Sequence, residues 1–157
     1  MQTKIAPFLW FNGNAEEAMH FYVSIFPNSR VGTVSRYPDT GPAPAGSVMT
    51  AQCELNGQEF VLLNGGPHFK FTEAVSFLIR CDDQKELDYY WDKLIAGGGA
   101  PSIGGWLKDK FGLSWQVVPR HLTDLVGGKD TKRAGLVMQA LLKMQKIDIA
   151  ALDQAAA

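Results

Sequence analysis

The sequence predicts an α+β fold made of two β-α-β-β-β modules followed by a helical tail. Three observations predict it. Residues 1–66 read as a strand, a helix and three strands; the same order returns over residues 72–119; and residues 120–157 leave that order for helices. At 157 residues the two modules can share one core as a single domain, with no need of disulfides.

Residues 5–11 form a short apolar run that Asn12-Gly13 ends, as expected of a strand. Asn14 and Glu17 have capping-box spacing, and Ala15, Ala18, Met19, Tyr22, Ile25 and Phe26 recur at helical intervals until Pro27-Asn28. A strand is expected over 30–37. The segment 38–46, PDTGPAPAG, holds too much proline and glycine for anything but an exposed loop. Strands follow over 47–55 and 59–63, joined by Asn56-Gly57, a strong hairpin signal because both residues tolerate positive φ. Asn64-Gly65-Gly66-Pro67 then breaks the chain.

In the second half, residues 74–81 read as a strand. Asp83 with Glu86 gives a second capping box, and Leu87, Tyr90, Trp91, Leu94 and Ile95 make an apolar stripe that ends at Gly97-Gly98-Gly99. A short strand is expected near Ser102-Ile103. The hairpin GWLKDKFGLSWQVVP follows over 105–119, with its turn near Gly112. Alternation puts Leu113, Trp115 and Val117 on one face and Ser114, Gln116 and Val118 on the other. Between the halves the caps are offset by 83 − 14 = 69, the glutamates by 86 − 17 = 69 and the strand phenylalanines by 77 − 8 = 69. Two units at a constant spacing predict an internal duplication with pseudo-twofold symmetry.

The tail has a short helix over 119–126, a longer one over 133–146 and a last one over 149–156 that Asp148 caps. Lys+Arg 15 against Asp+Glu 16 creates no field that would recruit nucleic acid or an anionic membrane, so neither is an expected partner. Cys53 and Cys81 lie in apolar, strand-like stretches and read as buried free thiols, which suits a reducing cytoplasm. The first residues carry a charge but no apolar signal core, and no apolar stretch approaches the ~18 residues of a spanning helix. The expectation is a cytoplasmic protein.

Four segments carry a family resemblance: PFLWFNGNAEEAMHFY (7–22), VSFLIRCDDQKELDYYWDKL (75–94), GWLKDKFGLSWQVVP (105–119) and LLKMQKIDIAAL (141–152). With these motifs the chain resembles the PhnB-like family, which carries the label 3-demethylubiquinone-9 3-methyltransferase domain. That family belongs to the vicinal-oxygen-chelate superfamily of glyoxalases, bleomycin-resistance proteins and extradiol dioxygenases. The resemblance implies an open, cupped sheet of eight strands, a ligand cleft inside the cup, and a homodimer.

Metal-using members of that superfamily take His or Glu ligands from the first and last strand of each module. Carried over position by position, these slots hold Pro7, Val61, Ser76 and Gln116. Proline and valine cannot ligate, serine rarely does, and a neutral carboxamide oxygen is a poor substitute for carboxylate. No metal and no other cofactor is expected. Methyl transfer from S-adenosylmethionine would need a glycine-rich turn from strand to helix, whereas Gly97-Gly98-Gly99 follows a helix and Gly104-Gly105 precedes a strand.

The candidate ligand-binding residues are Pro7, Leu9, Phe11, Val61, Leu63, Ser76, Leu78, Trp106, Ser114 and Gln116, with Glu59 and Arg80 as possible polar anchors at strand ends. The candidate catalytic residues are His68, in the loop GGPHF, together with Asp109 and Gln116. Asp109 reads either as a carboxylate held between Lys108 and Lys110 or as a charged surface turn. His20 and His121, on helices, read as solvated. The expected function is metal-free binding of a small, partly aromatic molecule. The alternative is an enzyme of the same superfamily, a lyase, isomerase, dioxygenase or the labelled methyltransferase.

Overall fold

The computed structural model describes residues 2–157. The chain divides into two compact units, one ending at Lys70 and the other beginning at Phe71. Each carries one four-stranded mixed sheet.

The first unit contains β1 (Phe8–Phe11), α1 (Ala15–Ile25), β2 (Arg30–Arg36), β3 (Val48–Leu55) and β4 (Gln58–Asn64), in the sheet order β1-β4-β3-β2. β1 runs parallel to β4 and the other neighbours are antiparallel. Asn56 and Gly57 both take positive φ, 50° and 81°, the turn whose twist suits a two-residue hairpin. Leu9, Phe11, Ala51, Cys53, Leu55, Phe60 and Leu62 are buried on one side of the sheet, and α1 packs there with Ala18, Met19, Tyr22 and Ile25. At ~1.5–3 kcal/mol for each large side chain, this layer holds the unit together.

The expected capping box at Asn14 does not form, for the Asn14 side chain makes no cap hydrogen bond. The Ala15 N–H donates instead to Asn64 Oδ1 at 2.9 Å, while Asn64 Nδ2 donates to the Val48 carbonyl at 3.2 Å. The helix is thus capped from the end of β4.

The second unit contains β5 (Ser76–Cys81), α2 (Gln84–Ile95), β6 (Ala100–Pro101), β7 (Trp106–Lys108) and β8 (Ser114–Pro119), ordered β5-β8-β7-β6, with β5 parallel to β8. The second expected capping box forms in part: the cap residue Asp83 accepts from the Glu86 N–H at 2.8 Å, while Glu86 accepts from the N–H of Asp82, one residue before the cap. β6 falls two residues before the expected site. Just before it, Gly99 packs so closely that a Cβ would lie 2.6 Å from the Ile95 Cα and 2.7 Å from the Lys108 carbonyl oxygen.

The tail forms α3 (Leu122–Gly127), α4 (Thr131–Leu141) and α5 (Ile149–Ala155), and Asp148 caps α5 by accepting from the Ala151 N–H. Its docking on the second unit is specific. Gly104 and Gly105 donate to the carbonyls of Met144 and Gln145, and Ile147 is fully buried. The Gln84 carboxamide donates to the Ile147 carbonyl and accepts from the Ile149 N–H, so a side chain serves as the neighbouring strand would.

The duplication needs one correction. The helices keep the offset, 84 − 15 = 69, but the strands before them do not: Phe11 and Cys81, each buried and last in its strand, are 81 − 11 = 70 apart. The first module has one residue more in its strand-to-helix joint, Asn12-Gly13-Asn14 against Asp82-Asp83. A slip of one residue reverses every side chain of a strand. Phe8, 61% exposed, therefore matches Leu78, 42% exposed, and not Phe77, whose ring packs at a tilt against Trp115.

Burial alone pushes the Cys53 thiol up to about 12. Burial does the same for Cys81, also to about 12, with help from the carboxylates of Glu86, Asp82 and Asp83. At pH 8 only about one in ten thousand such thiols is the reactive thiolate. Both should be inert to Ellman's reagent in the native protein and titrate on unfolding in guanidinium; a rapidly reacting native thiol would contradict this. Among the described residues no helix is long and apolar enough to cross a membrane.

Candidate functional site

The most polar constellation of expected site residues lies on one face of the second sheet. In β5, β7 and β8, Phe77, Leu107, Trp115 and Val117 share a face with Cys81, and α2 packs on these strands with Leu87, Trp91 and Leu94. The opposite face carries Ser76, Leu78 and Arg80 from β5, Ser114, Gln116 and Val118 from β8, and Trp106 and Lys108 from β7. Register arranges them in rows. Lys108, Ser114 and Ser76 are directly paired across three strands, and Trp106, Gln116 and Leu78 form the next row.

Gln116 Nε2 donates to Ser76 Oγ at 3.0 Å, a diagonal bond between the two rows. Ser114 is 1% exposed, and its hydroxyl is a buried side-chain polar atom with no hydrogen-bond partner among the described residues. Such an orphan costs about 1–3 kcal/mol. Lys108 Nζ forms an ion pair with Glu73, which lies just before β5. The hydrogen bond from Lys108 holds the Glu73 carboxyl below the usual carboxylate range. Neither the Lys108–Glu73 pair nor the orphaned hydroxyl was legible from spacing, because both depend on which strands are neighbours.

In the first unit, Val61 and Leu63 lie half-buried on the sheet face away from α1, in register with Phe8 and Trp10. Register makes Val61 the counterpart of Gln116, since Phe8 pairs with Val61 as Leu78 pairs with Gln116. Ser76 then corresponds to Ala6 and not to Pro7, whose carbonyl accepts from the Val61 N–H. Leu9 and Phe11 are core residues, 8% and 3% exposed on the α1 side, and do not share the open face. Glu59 is on the open face with Val61, and Arg80 is exposed on that of the second sheet.

Trp10, which sequence reading did not single out, donates from Nε1 to the Gly66 carbonyl at 2.9 Å and meets Phe69 edge-on at 4.8 Å. Gly65 must be glycine, as a Cβ would come within 2.4 Å of the indole. These contacts hold the loop that carries His68, an exposed side chain.

Asp109 is not the charged surface turn that its neighbours Lys108 and Lys110 suggest. It is 2% exposed. Its Oδ1 accepts from the N–H groups of Phe111 at 2.9 Å and Leu113 at 3.1 Å, and its Oδ2 accepts from Trp115 Nε1 at 2.9 Å. The carboxylate is the internal frame of the β7–β8 turn.

Among the described residues, no three His, Cys, Asp or Glu side chains are grouped to hold a metal ion. A hydroxyl and a carboxamide bonded to each other, with alanine and valine at the matching positions of the first unit, do not fit a divalent cation. Nor do the residues fit S-adenosylmethionine as the common methyltransferases hold it. The strand-to-helix turns are Asn12-Gly13-Asn14 and Asp82-Asp83, which hold one glycine between them and not the run of glycines that lets backbone approach that cofactor.

Residues 3–118 match the family described as 3-demethylubiquinone-9 3-methyltransferase. The PhnB protein of Bacillus cereus is 40% identical, over 74% of this chain and 99% of that one, with a TM-score of 0.65. A Pseudomonas aeruginosa protein, 21% identical over 75% of this chain and 97% of its own, shares the fold at a TM-score of 0.60. No curated protein matches the chain.

Proposed function

From the 3-demethylubiquinone-9 3-methyltransferase family, PhnB-like, to which this chain belongs, and from the chemistry of its second sheet, we propose that the protein binds a small, partly aromatic molecule without a resident metal. The observation that carries this reading is the open-face pair of rows, in which neutral Ser76, Ser114 and Gln116 lie beside Trp106 and Leu78. Apolar and aromatic walls with a few convergent polar groups are what small-molecule sites have in common. Trp106 and Leu78 would cover a flat body, and the hydroxyls and carboxamide would orient its polar end. Catalysis is not part of the proposal, because Asp109 is committed to three hydrogen bonds within its own turn and His68 stands exposed on a loop.

The same reading includes a homodimer in a reducing cytoplasm. The exposed Phe8, Phe69 and Val75 and the two buried free thiols support these two points.

Elemental analysis tests the metal-free half. Protein purified without chelator and equilibrated with manganese, nickel and zinc should retain far less than one ion per chain. Gln116→Glu should not change that, because one carboxylate beside Ser76 still lacks the remaining ligands of a tight site. Stoichiometric zinc or manganese in either protein would overturn the assignment of the slots.

A further inference from the structure

Three hydrogen-bond donors converge on the open face of the second sheet, and an internal carboxylate already occupies one of them. Lys108, Ser114 and Ser76 stand side by side in one cross-strand row, where neighbouring strands are ~4.8 Å apart. The Ser76 oxygen accepts from Gln116, so its own proton is turned toward another acceptor. The Ser114 hydroxyl is buried and unpartnered. Lys108 is on one side of β8, and its partner Glu73 precedes β5 on the other, three residues before Ser76. Their ion pair therefore joins the two strands that flank β8, on either side of Ser114. The two ends of the pair are accessible, with side-chain exposures of 43% and 60%, and Glu73 lies outside any helix or strand.

We propose that this row is a site for an organic carboxylate, and that Glu73 is its built-in stand-in. The incoming carboxylate takes the place of Glu73 on Lys108 and accepts from the Ser114 and Ser76 hydroxyls, while its aromatic body lies along Trp106 and Leu78. The inference rests on the small-molecule reading above and adds the charge of the ligand and the group it displaces. Charge-assisted donors favour an anion here over a neutral molecule of the same shape.

Benzoate and benzamide, equal in shape and different in charge, are the probes, followed through the indole N–H signal of Trp106 at constant ionic strength. Benzoate should bind about tenfold more tightly than benzamide. Glu73→Gln should tighten benzoate about fivefold, the scale of an exposed ion pair, and leave benzamide unchanged. Ser114→Ala should weaken benzoate about tenfold while the melting temperature of the free protein holds or rises, since an orphaned hydroxyl has been removed. If both probes move the Trp106 signal but bind equally well, or if Glu73→Gln leaves benzoate unchanged, the carboxylate assignment is overturned and the open-face site stands. If neither probe moves that signal in any folded variant, the open-face reading fails and this inference with it.

Discussion

Asp109→Ala is expected to lower the stability of the protein by about 3–5 kcal/mol, or roughly 10 °C in melting temperature for a chain of this size. The substitution deletes one buried acceptor and strands three donors: the N–H groups of Phe111 and Leu113 and the indole of Trp115. The donors of Leu113 and Trp115 cannot turn to water without opening the turn, because these residues are 2% and 3% exposed. Asp109→Asn separates the contributions. Its carbonyl can still accept from both backbone groups, but its amide then faces the indole donor to donor, so about half of the loss should remain. Trp115→Phe in the Asp109→Asn background removes that conflict and should recover part of it. Equal melting temperatures for Asp109→Ala and the wild type would show that the β7–β8 turn holds without its carboxylate.

Removal of residues 147–157 should be as damaging. Ile147 is fully buried, and its Cδ1 lies where a Cβ on Gly105 would come within 2.8 Å, so the side chain rests directly on the backbone entering β7. Ile147→Ala alone should cost about 2–4 kcal/mol by loss of burial and the cavity left behind. The full deletion also takes away two of the three hydrogen-bond partners of the Gln84 carboxamide, leaving only Asp88, and removes the buried Leu152. Urea unfolding of the two variants decides the matter. A deletion variant with an unchanged midpoint would mean that the tail adds nothing to the core of the second unit.

Much of this fold was legible because its signals are local. The apolar stripes of α1 and α2, the Asn56-Gly57 turn and the caps at Asp83 and Asp148 each depend on residues within a few positions of one another, and each appears in the structure. What was misread depends on distant partners. Asn64 caps a helix that begins 49 residues earlier, which no window around Asn14 could reveal. Asp109, between two lysines, carries the composition of an exposed turn, and only the placement of Trp115 in the folded hairpin makes its carboxylate internal. At the site, alternation put Ser114 and Gln116 together on one face of β8. That Lys108 and Ser76 stand on either side of Ser114 requires the strand order β5-β8-β7. Leu9 and Phe11 fall on the α1 face and not the open one because the strands, unlike the helices, are offset by 70.

The extra residue at the joint between β1 and α1 shows where a doubled module of this kind can grow. Gly13 has φ of +86° and nothing within 4 Å of where a Cβ would stand, so the added link sits in open space and disturbs no packing. The same single residue inserted between Phe8 and Leu9 would leave the C-terminal end of β1 in place and turn its N-terminal end over; inserted after Leu9, it would bring a core leucine to the surface. Halves of a duplicated chain can thus drift apart in length at their strand-to-helix joints while their strands remain locked in parity. Loop grafts or tags spliced at Gly13 should be tolerated where the same splice two or three positions earlier is not.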